Sequence, residues 1–182
     1  MGDIRVLAFA GSLRAGSFNR LLIDNAVRLA PEGMTIEHLH LDGLPNFSQD
    51  LEQNPPEIVR ALKAKAREAD GILIATPEYN FSFSSVTKSA IDWGSRPYGD
   101  GVWDGKPVAI MSASTGYMGG IRAQLHLRQV LNFFPMRQVY FPELTLSMAA
   151  SKFDADGVLA DDRATETLTK LLVALKDLIE KG

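Results

Sequence analysis

The sequence predicts an α/β protein, with a doubly wound, five-stranded parallel sheet and helices on both faces. Three observations predict it. Apolar runs rich in Val, Ile, Leu and Phe alternate five times with longer stretches at helical spacing. The runs at 4–10, 71–76 and 107–113 are apolar nearly throughout, as strands buried on both faces are. Glycine- and serine-rich or aromatic loops follow each of those three runs, at what would be the carboxyl ends of the strands. Right-handed crossovers then put helices on both faces. Of the common doubly wound orders, five strands suit 2-1-3-4-5.

The elements follow in order. The first strand, 4–10, leads through a turn into an amphipathic helix at 19–30, which Pro31-Glu32-Gly33 ends. The second strand, 35–41, is more polar and belongs at or near a sheet edge. Residues 42–55, rich in Asp, Asn, Gly and Pro, form a loop. Residues 56–69 form a helix, with Pro56 suited to its first turn and Ile58, Val59, Leu62 and Ala66 on one face. After the third strand comes a loop at 77–83, then a helix capped by Ser84 or Ser85 and running to about Trp93. A long loop, 94–106, carries Arg96, Tyr98 and Trp103. The fourth strand is 107–113, the next helix 121–134, and the fifth strand 139–144. The last helix, 161–180, sets Leu168, Leu171, Leu172, Leu175 and Ile179 on one face. No repeat or linker divides the chain, so one domain spanning 1–182 is expected.

Composition excludes several functions. A net charge of −3 supplies no basic field for nucleic acid. The absence of cysteine excludes disulfides, thiolate metal sites and thiol redox chemistry, so any redox function needs a bound cofactor. No apolar stretch reaches the roughly 18 residues of a membrane span. The N-terminus shows no signal-peptide pattern, and a cytoplasmic location is expected.

The turn Gly11-Ser12-Leu13-Arg14-Ala15-Gly16-Ser17 joins a buried strand to a helix start. Free N–H groups and the helix dipole favour an anion there, and Ser12, Ser17 and Arg14 add donors. The turn lacks the lysine that a nucleoside-triphosphate loop needs after its second glycine, and it lacks Gly-x-Gly-x-x-Gly. A monophosphate fits better than a triphosphate or pyrophosphate. In the expected strand order, this turn converges with the loops after strands 3 and 4 at the topological switch point, where open α/β sheets bind ligands. Tyr79 and Phe81 in the second loop make a wall for a flat heteroaromatic ring. The third loop, 114–120, lets backbone approach closely and offers N–H groups for negative charge.

Gly-Ser-Leu-Arg-x-x-Ser-x-Asn-Arg at 11–20 resembles the phosphate motif of the NAD(P)H-dependent FMN reductase family, which includes soluble quinone, chromate and azo-dye reductases. Pro77-Glu78-Tyr79-Asn80-x-Ser82, followed by Lys88 and Ala90-Ile91-Asp92-Trp93, resembles its second motif. Gly119-Gly120-x-Arg122-Ala123-Gln124 with Leu127-Arg128-Gln129 resembles its third. The resemblance implies a flavodoxin-like fold, non-covalent FMN, NADH or NADPH as donor, and a homodimer or homotetramer. It implies that Ser12, Arg14, Ser17 and Asn19 hold the phosphate, with Phe18 beside them. Pro77, Glu78, Tyr79, Asn80 and Phe81 would frame the isoalloxazine, together with Ser114, Thr115, Gly116, Gly119 and Gly120. The family usually has Pro-Gly where this chain has Ser84-Ser85, a departure that bears on the loop end and the pocket beside it.

The expected function is therefore an FMN-dependent NAD(P)H oxidoreductase. It would reduce quinones and similar acceptors, with chromate, azo compounds or free flavin as other candidates and no catalytic side chain. The rival is a non-enzymatic FMN electron carrier, though such carriers are usually far more acidic and lack the Pro-Glu-Tyr-Asn loop. His38 and His40 sit two apart on a strand without a third ligand, so no metal site is expected. Trp93 reads as core or interface, His126 as surface or interface, and Lys63 with Arg67 as a solvated helix face. The 94–106 loop and the apolar run at 133–136 are expected to supply interface area.

Overall fold

The computed structural model describes residues 3–182. Its central strands are β1 (Ile4–Ala10), β3 (Gly71–Ala75) and β6 (Pro107–Ala113), flanked on one side by β2 (Met34–His38). All neighbours are parallel, in the order β2-β1-β3-β6, with Ala8 opposite Leu73 and Ile74 opposite Ile110. The expected order therefore stands. β3 and β6 are buried at every position, whereas β2 alternates buried with exposed residues as an edge strand does.

Strand alternation divides the core. Val6, Ala8, Leu73 and Ala109 face α1 (Phe18–Arg28) and α5 (Asp162–Glu180). Leu7, Phe9, Ile72 and Ile74 face α2 (Glu57–Glu68), α3 (Ser85–Gly94) and α4 (Ile121–Leu131). In α5 the stripe Leu168, Leu171, Leu172 and Leu175 is wholly buried. Each such side chain contributes about 1.5–3 kcal/mol. Helix starts obey local chemistry: Ser17, Ser84 and Asp161 each accept a backbone N–H at the start of α1, α3 and α5.

Two expected elements differ. The fifth strand is split into β7 (Arg137–Gln138) and β8 (Leu144–Leu146), both parallel to β6. Gln138 lies opposite Val108 and Leu144 opposite Met111, so the intervening chain bulges out where a single strand at 139–144 was expected. Pro142, with no N–H to donate, sits in this bulge, and Tyr140 and Phe141 project to solvent. The loop at 77–83 holds a short antiparallel hairpin, β4 (Glu78–Tyr79) and β5 (Ser82–Phe83). Asn80 and Phe81 form its turn at φ +48° and +70°, the left-handed pair that matches strand twist in a two-residue hairpin.

The 94–106 loop packs on its own chain. Trp103 is buried beside Phe9, its indole N–H donates to the Ile91 carbonyl, and a Cβ on Gly94 would strike its ring at 2.3 Å. Arg96 pairs with Glu52 at 2.6 Å and stacks on Tyr98. Lys63 is not on a solvated face: its side chain is 8% exposed, and it donates to the Arg96 carbonyl and to Asp100. Arg67 joins Asp100 from the next turn of α2, so the two cations clamp this loop. Of the apolar run at 133–136, Phe134 and Met136 are buried and Phe133 is exposed. Trp93 is core, its indole N–H bonded to the Pro45 carbonyl and its ring edge-on to Phe47.

Candidate active site

The carboxyl ends of β1, β3 and β6 open into a cavity of about 550 Å³ lined by Ser12, Arg14, Ser17, Phe18, Asn19, Pro77, Glu78, Tyr79, Ala113, Ser114, Thr115 and Ala150. That volume lies in the range of small-molecule and cofactor sites. Three loops far apart in sequence thus meet at the switch point, as the strand order requires.

The first wall is the turn between β1 and α1. Gly11 begins it, because β1 passes so close to α3 that a Cβ there would lie 1.9 Å from the Thr87 hydroxyl. Ser84 Oγ donates to the Gly11 carbonyl at 2.6 Å and accepts the Thr87 N–H. Ser84 thus pins the loop end to the cradle. Ser17 is buried and caps α1 through the Arg20 N–H. Among the described residues, the backbone N–H groups from Ser12 to Asn19 donate to no protein acceptor. Arg14 stands over the Phe18 ring, 5.4 Å from its centroid, and forms no ion pair among the described residues. Unpartnered donors at Ser12, Arg14, Ser17, Phe18 and Asn19, a guanidinium without an ion pair and the positive end of α1 meet at one cavity. This donor set fits a phosphate dianion.

Asn19 lines the cavity, but its side chain is committed elsewhere. Nδ2 donates to the Ala113 carbonyl and Oδ1 accepts the Ala113 N–H, both at 2.9 Å. Asn19 therefore stitches α1 to the end of β6 and keeps only its backbone N–H for a ligand. Sequence reasoning missed Arg20, whose Nε donates to the Ser12 carbonyl at 2.9 Å while another nitrogen pairs with Asp42 at 2.7 Å. That hydrogen bond holds the Asp42 carboxyl below the usual carboxylate range. Arg20 closed the quoted motif, which was the available signal. Ala150 arrives from a short turn after β8, and nothing in the sequence marks it.

The second wall is Pro77, Glu78 and Tyr79. Asn80 and Phe81, expected with them, form the hairpin turn and do not line the cavity. The third wall is Ala113, Ser114 and Thr115. Gly116, Gly119 and Gly120 do not line it either. Gly116 N–H donates to Ser114 Oγ. Gly119 and Gly120 have φ +60° and +92°, and a Cβ on them would lie 2.6 Å from the Thr145 carbonyl oxygen and 2.7 Å from Ser112 Cβ. These glycines let the chain turn into α4 against the sheet.

Behind the cradle, His38 Nδ1 lies 2.8 Å from Asp24, and the His38 and His40 rings are 4.2 Å apart. Burial is the main cause pushing the His38 pKa down. Among the described residues no cluster of three or more His, Cys, Asp or Glu gathers as metal ligands would.

Comparison with known proteins bears on this geometry. A family model described as NADPH-dependent FMN reductase matches residues 4–151. A NAD(P)H-dependent FMN reductase of Pseudomonas aeruginosa is 44% identical over 175 residues, covering 96% of this chain and 94% of its own. An NADPH:quinone oxidoreductase of Arabidopsis thaliana is 44% identical over 180 residues, covering 95% and 90%. The solved structure of a flavoenzyme NAD(P)H:(acceptor) oxidoreductase from Paracoccus denitrificans superposes with a TM-score of 0.90 at 35% identity, covering 98% of both chains.

Proposed function

Since the chain belongs to the NADPH-dependent FMN reductase family, we propose that its switch-point cavity holds FMN and that the protein passes electrons from NADH or NADPH to a quinone-type acceptor. The observation that carries the placement is the set of unpartnered backbone N–H groups at Ser12, Arg14, Ser17, Phe18 and Asn19, all residues that line the cavity, beside the Arg14 guanidinium. These groups would hold the phosphate. Pro77 to Tyr79 on one side and Ser114 and Thr115 on the other would orient the isoalloxazine. FMN supplies the redox chemistry when bound, and no protein nucleophile is required. Glu78 is the acidic side chain on the cavity wall, and Arg122 neutralises it at 2.8 Å, so the wall does not repel an anionic ligand. Tyr79, 53% exposed at the cavity edge, offers a ring face on which a flat donor or acceptor can stack. A site of this shape selects acceptors by planarity, which admits quinones, azo compounds and free flavin; chromate would need only access to the reduced cofactor.

The proposal includes one domain over 1–182, a cytoplasmic setting where reduced pyridine nucleotide is at hand, and a homodimer or homotetramer. Among the described residues, no helix is long and apolar enough to cross a membrane. Exposed Phe81, Leu125, Tyr140 and Phe141, with Tyr98 and Phe133, supply apolar area for self-association. Light scattering that gave 19.9 kDa at micromolar concentration would count against the oligomer.

The deciding experiment is anaerobic stopped-flow mixing of the FMN-loaded protein with NADH or NADPH, followed by a panel of acceptors. Rapid bleaching of the flavin, and recovery on adding a quinone, is expected. A flavin that neither nucleotide bleaches would make the protein an electron carrier instead.

A further inference from the structure

The cavity wall at Tyr79 is fastened from outside by α4. Gly120 starts that helix at φ +92° and has no side chain to cap it. The cap comes from a residue far earlier in the chain. Glu78 Oε2 accepts the Arg122 backbone N–H at 3.1 Å, and Glu78 Oε1 accepts from the Arg122 guanidinium at 2.8 Å. The pair is largely shielded, with 13% of the Glu78 side chain and 35% of the Arg122 side chain exposed. The same guanidinium lies over the Phe81 ring, 4.0 Å from its centroid. One helical turn on, His126 Nδ1 lies 3.3 Å from Ser82 Oγ. Residues on both strands and in the turn of one hairpin are thus held by two residues of one helix.

The hairpin needs such a hold. It contains two residues per strand, too few to be stable alone. Its turn places Phe81 at φ +70°, a strained conformation for a bulky residue. The Arg122 guanidinium over the ring is a favourable contact that holds Phe81 in this turn. Glu78 and Tyr79 are consecutive, so wherever the Glu78 carboxylate is anchored, the backbone of Tyr79 is set beside the cavity.

We propose that Glu78 and Arg122 form a positioning pair: by clamping the hairpin to the start of α4, they fix how the backbone of the Pro77–Tyr79 wall meets the ring of a bound flavin. Neither side chain touches the reacting atoms. The inference rests on the proposed placement of FMN in this cavity.

The test compares Glu78→Gln, Arg122→Gln and the double variant with the parent protein, all saturated with FMN. Three readouts serve: the FMN dissociation constant, the shape of the visible flavin bands, and the two-electron midpoint potential. A tie that only stabilised the fold would lower the melting temperature of the apoprotein and leave the last two unchanged. A pair that acted through charge alone would shift the potential in opposite directions, since one variant removes an anion and the other a cation. A positioning pair predicts altered band shape, potential shifts of the same sign, and affinity weakened about tenfold in each single variant. Little further loss is expected in the double, because residues acting as a unit are not additive. Unchanged spectra and potential, or shifts of opposite sign, overturn the proposal. Should Glu78→Gln fail to fold, Arg122→Lys, which keeps the charge but loses the fork geometry, decides by the same readouts. A parent protein that bound no FMN would instead defeat the proposed function, before any variant was made.

Discussion

The two glycine-bearing turns at the cavity, 11–17 and 114–120, look alike as sequence and do opposite things. Both leave most backbone N–H groups without a protein acceptor among the described residues, but the first puts Ser12, Arg14 and Ser17 on the cavity wall. The second packs Gly119 against Thr145 and Gly120 against Ser112, and keeps only Ser114 and Thr115 on the wall. Ser112 Oγ donates to the Gly119 carbonyl, and Gln124 Nε2 donates to both Ser112 Oγ and the Leu144 carbonyl, so this turn is woven into the sheet. A glycine-rich turn at a strand end therefore reports a tight backbone, and which of its residues line the cavity separates a ligand cradle from a packed corner.

The sharpest way to break that contrast is to add a methyl group to the corner. Gly119→Ala must adopt φ +60° and meet a backbone carbonyl that cannot yield. Left-handed strain and overpacking together should cost about 2–5 kcal/mol of stability. Denaturant unfolding of the apoprotein measures this, and a loss under about 0.5 kcal/mol would mean the corner is not as tight as drawn.

The matching change in the cradle should leave stability alone and weaken the ligand. Arg14→Ala removes one charge-assisted bond to phosphate, worth roughly 1.5–3 kcal/mol, so the FMN dissociation constant should rise about tenfold to a hundredfold. Ser17→Asp should be worse, because it sets a carboxylate against the phosphate. If Ser17 were merely a helix cap, aspartate would serve as well. Flavin fluorescence titration beside apoprotein melting separates the two roles, and unchanged affinity in both variants would remove the phosphate from this turn.

A smaller effect is expected where the cradle meets α3. Ser84→Ala removes the α3 cap and the hydroxyl bond to the Gly11 carbonyl. A lost serine cap costs about 1 kcal/mol of stability. Unchanged or increased stability would mean that neither Ser84 bond stabilises the fold.

The smallest effect concerns pH behind the cradle. His38 is buried and its folded-state pKa lies below the ordinary 6.5, mainly through desolvation, with His40 and Arg20 adding to it and Asp24 opposing. The unfolded chain therefore binds the proton more readily. The neutral ring's contribution to stability is present above pH 6.5 and is lost as pH falls toward the depressed folded-state pKa. His38→Gln should flatten the fall of the melting temperature as pH drops below 6.5, relative to the parent. Equal slopes in the two proteins would show that His38 does not carry the linkage.

How much of this was legible without coordinates depends on the range of the forces involved. Periodicity and capping act over a few residues, so β1, β3, β6 and the helices, with Ser84 as one of two candidate caps, could be read from the chain. The strand order followed from the number of strands among the common doubly wound orders, and with it the meeting of three loops in one cavity. The cradle was legible because a strand, a turn and a helix start in succession dictate where N–H groups point.

The contacts that the packing of the fold fixed lie at long sequence separation. Local pattern does not show that Asn19 is engaged by Ala113, that Lys63 is drawn inward by Asp100, or that Glu78 caps a helix beginning more than 40 residues later. Each of these polar side chains looks solvated or ligand-ready when read alone. Partners brought close by the fold determine which are already satisfied, because a buried polar group takes whatever hydrogen bond the packing offers. The split of the fifth strand has the same origin: Val139 to Leu144 carry strand propensity, but the chain between the two ladder segments is longer than β6 can pair, and the surplus is expelled to solvent.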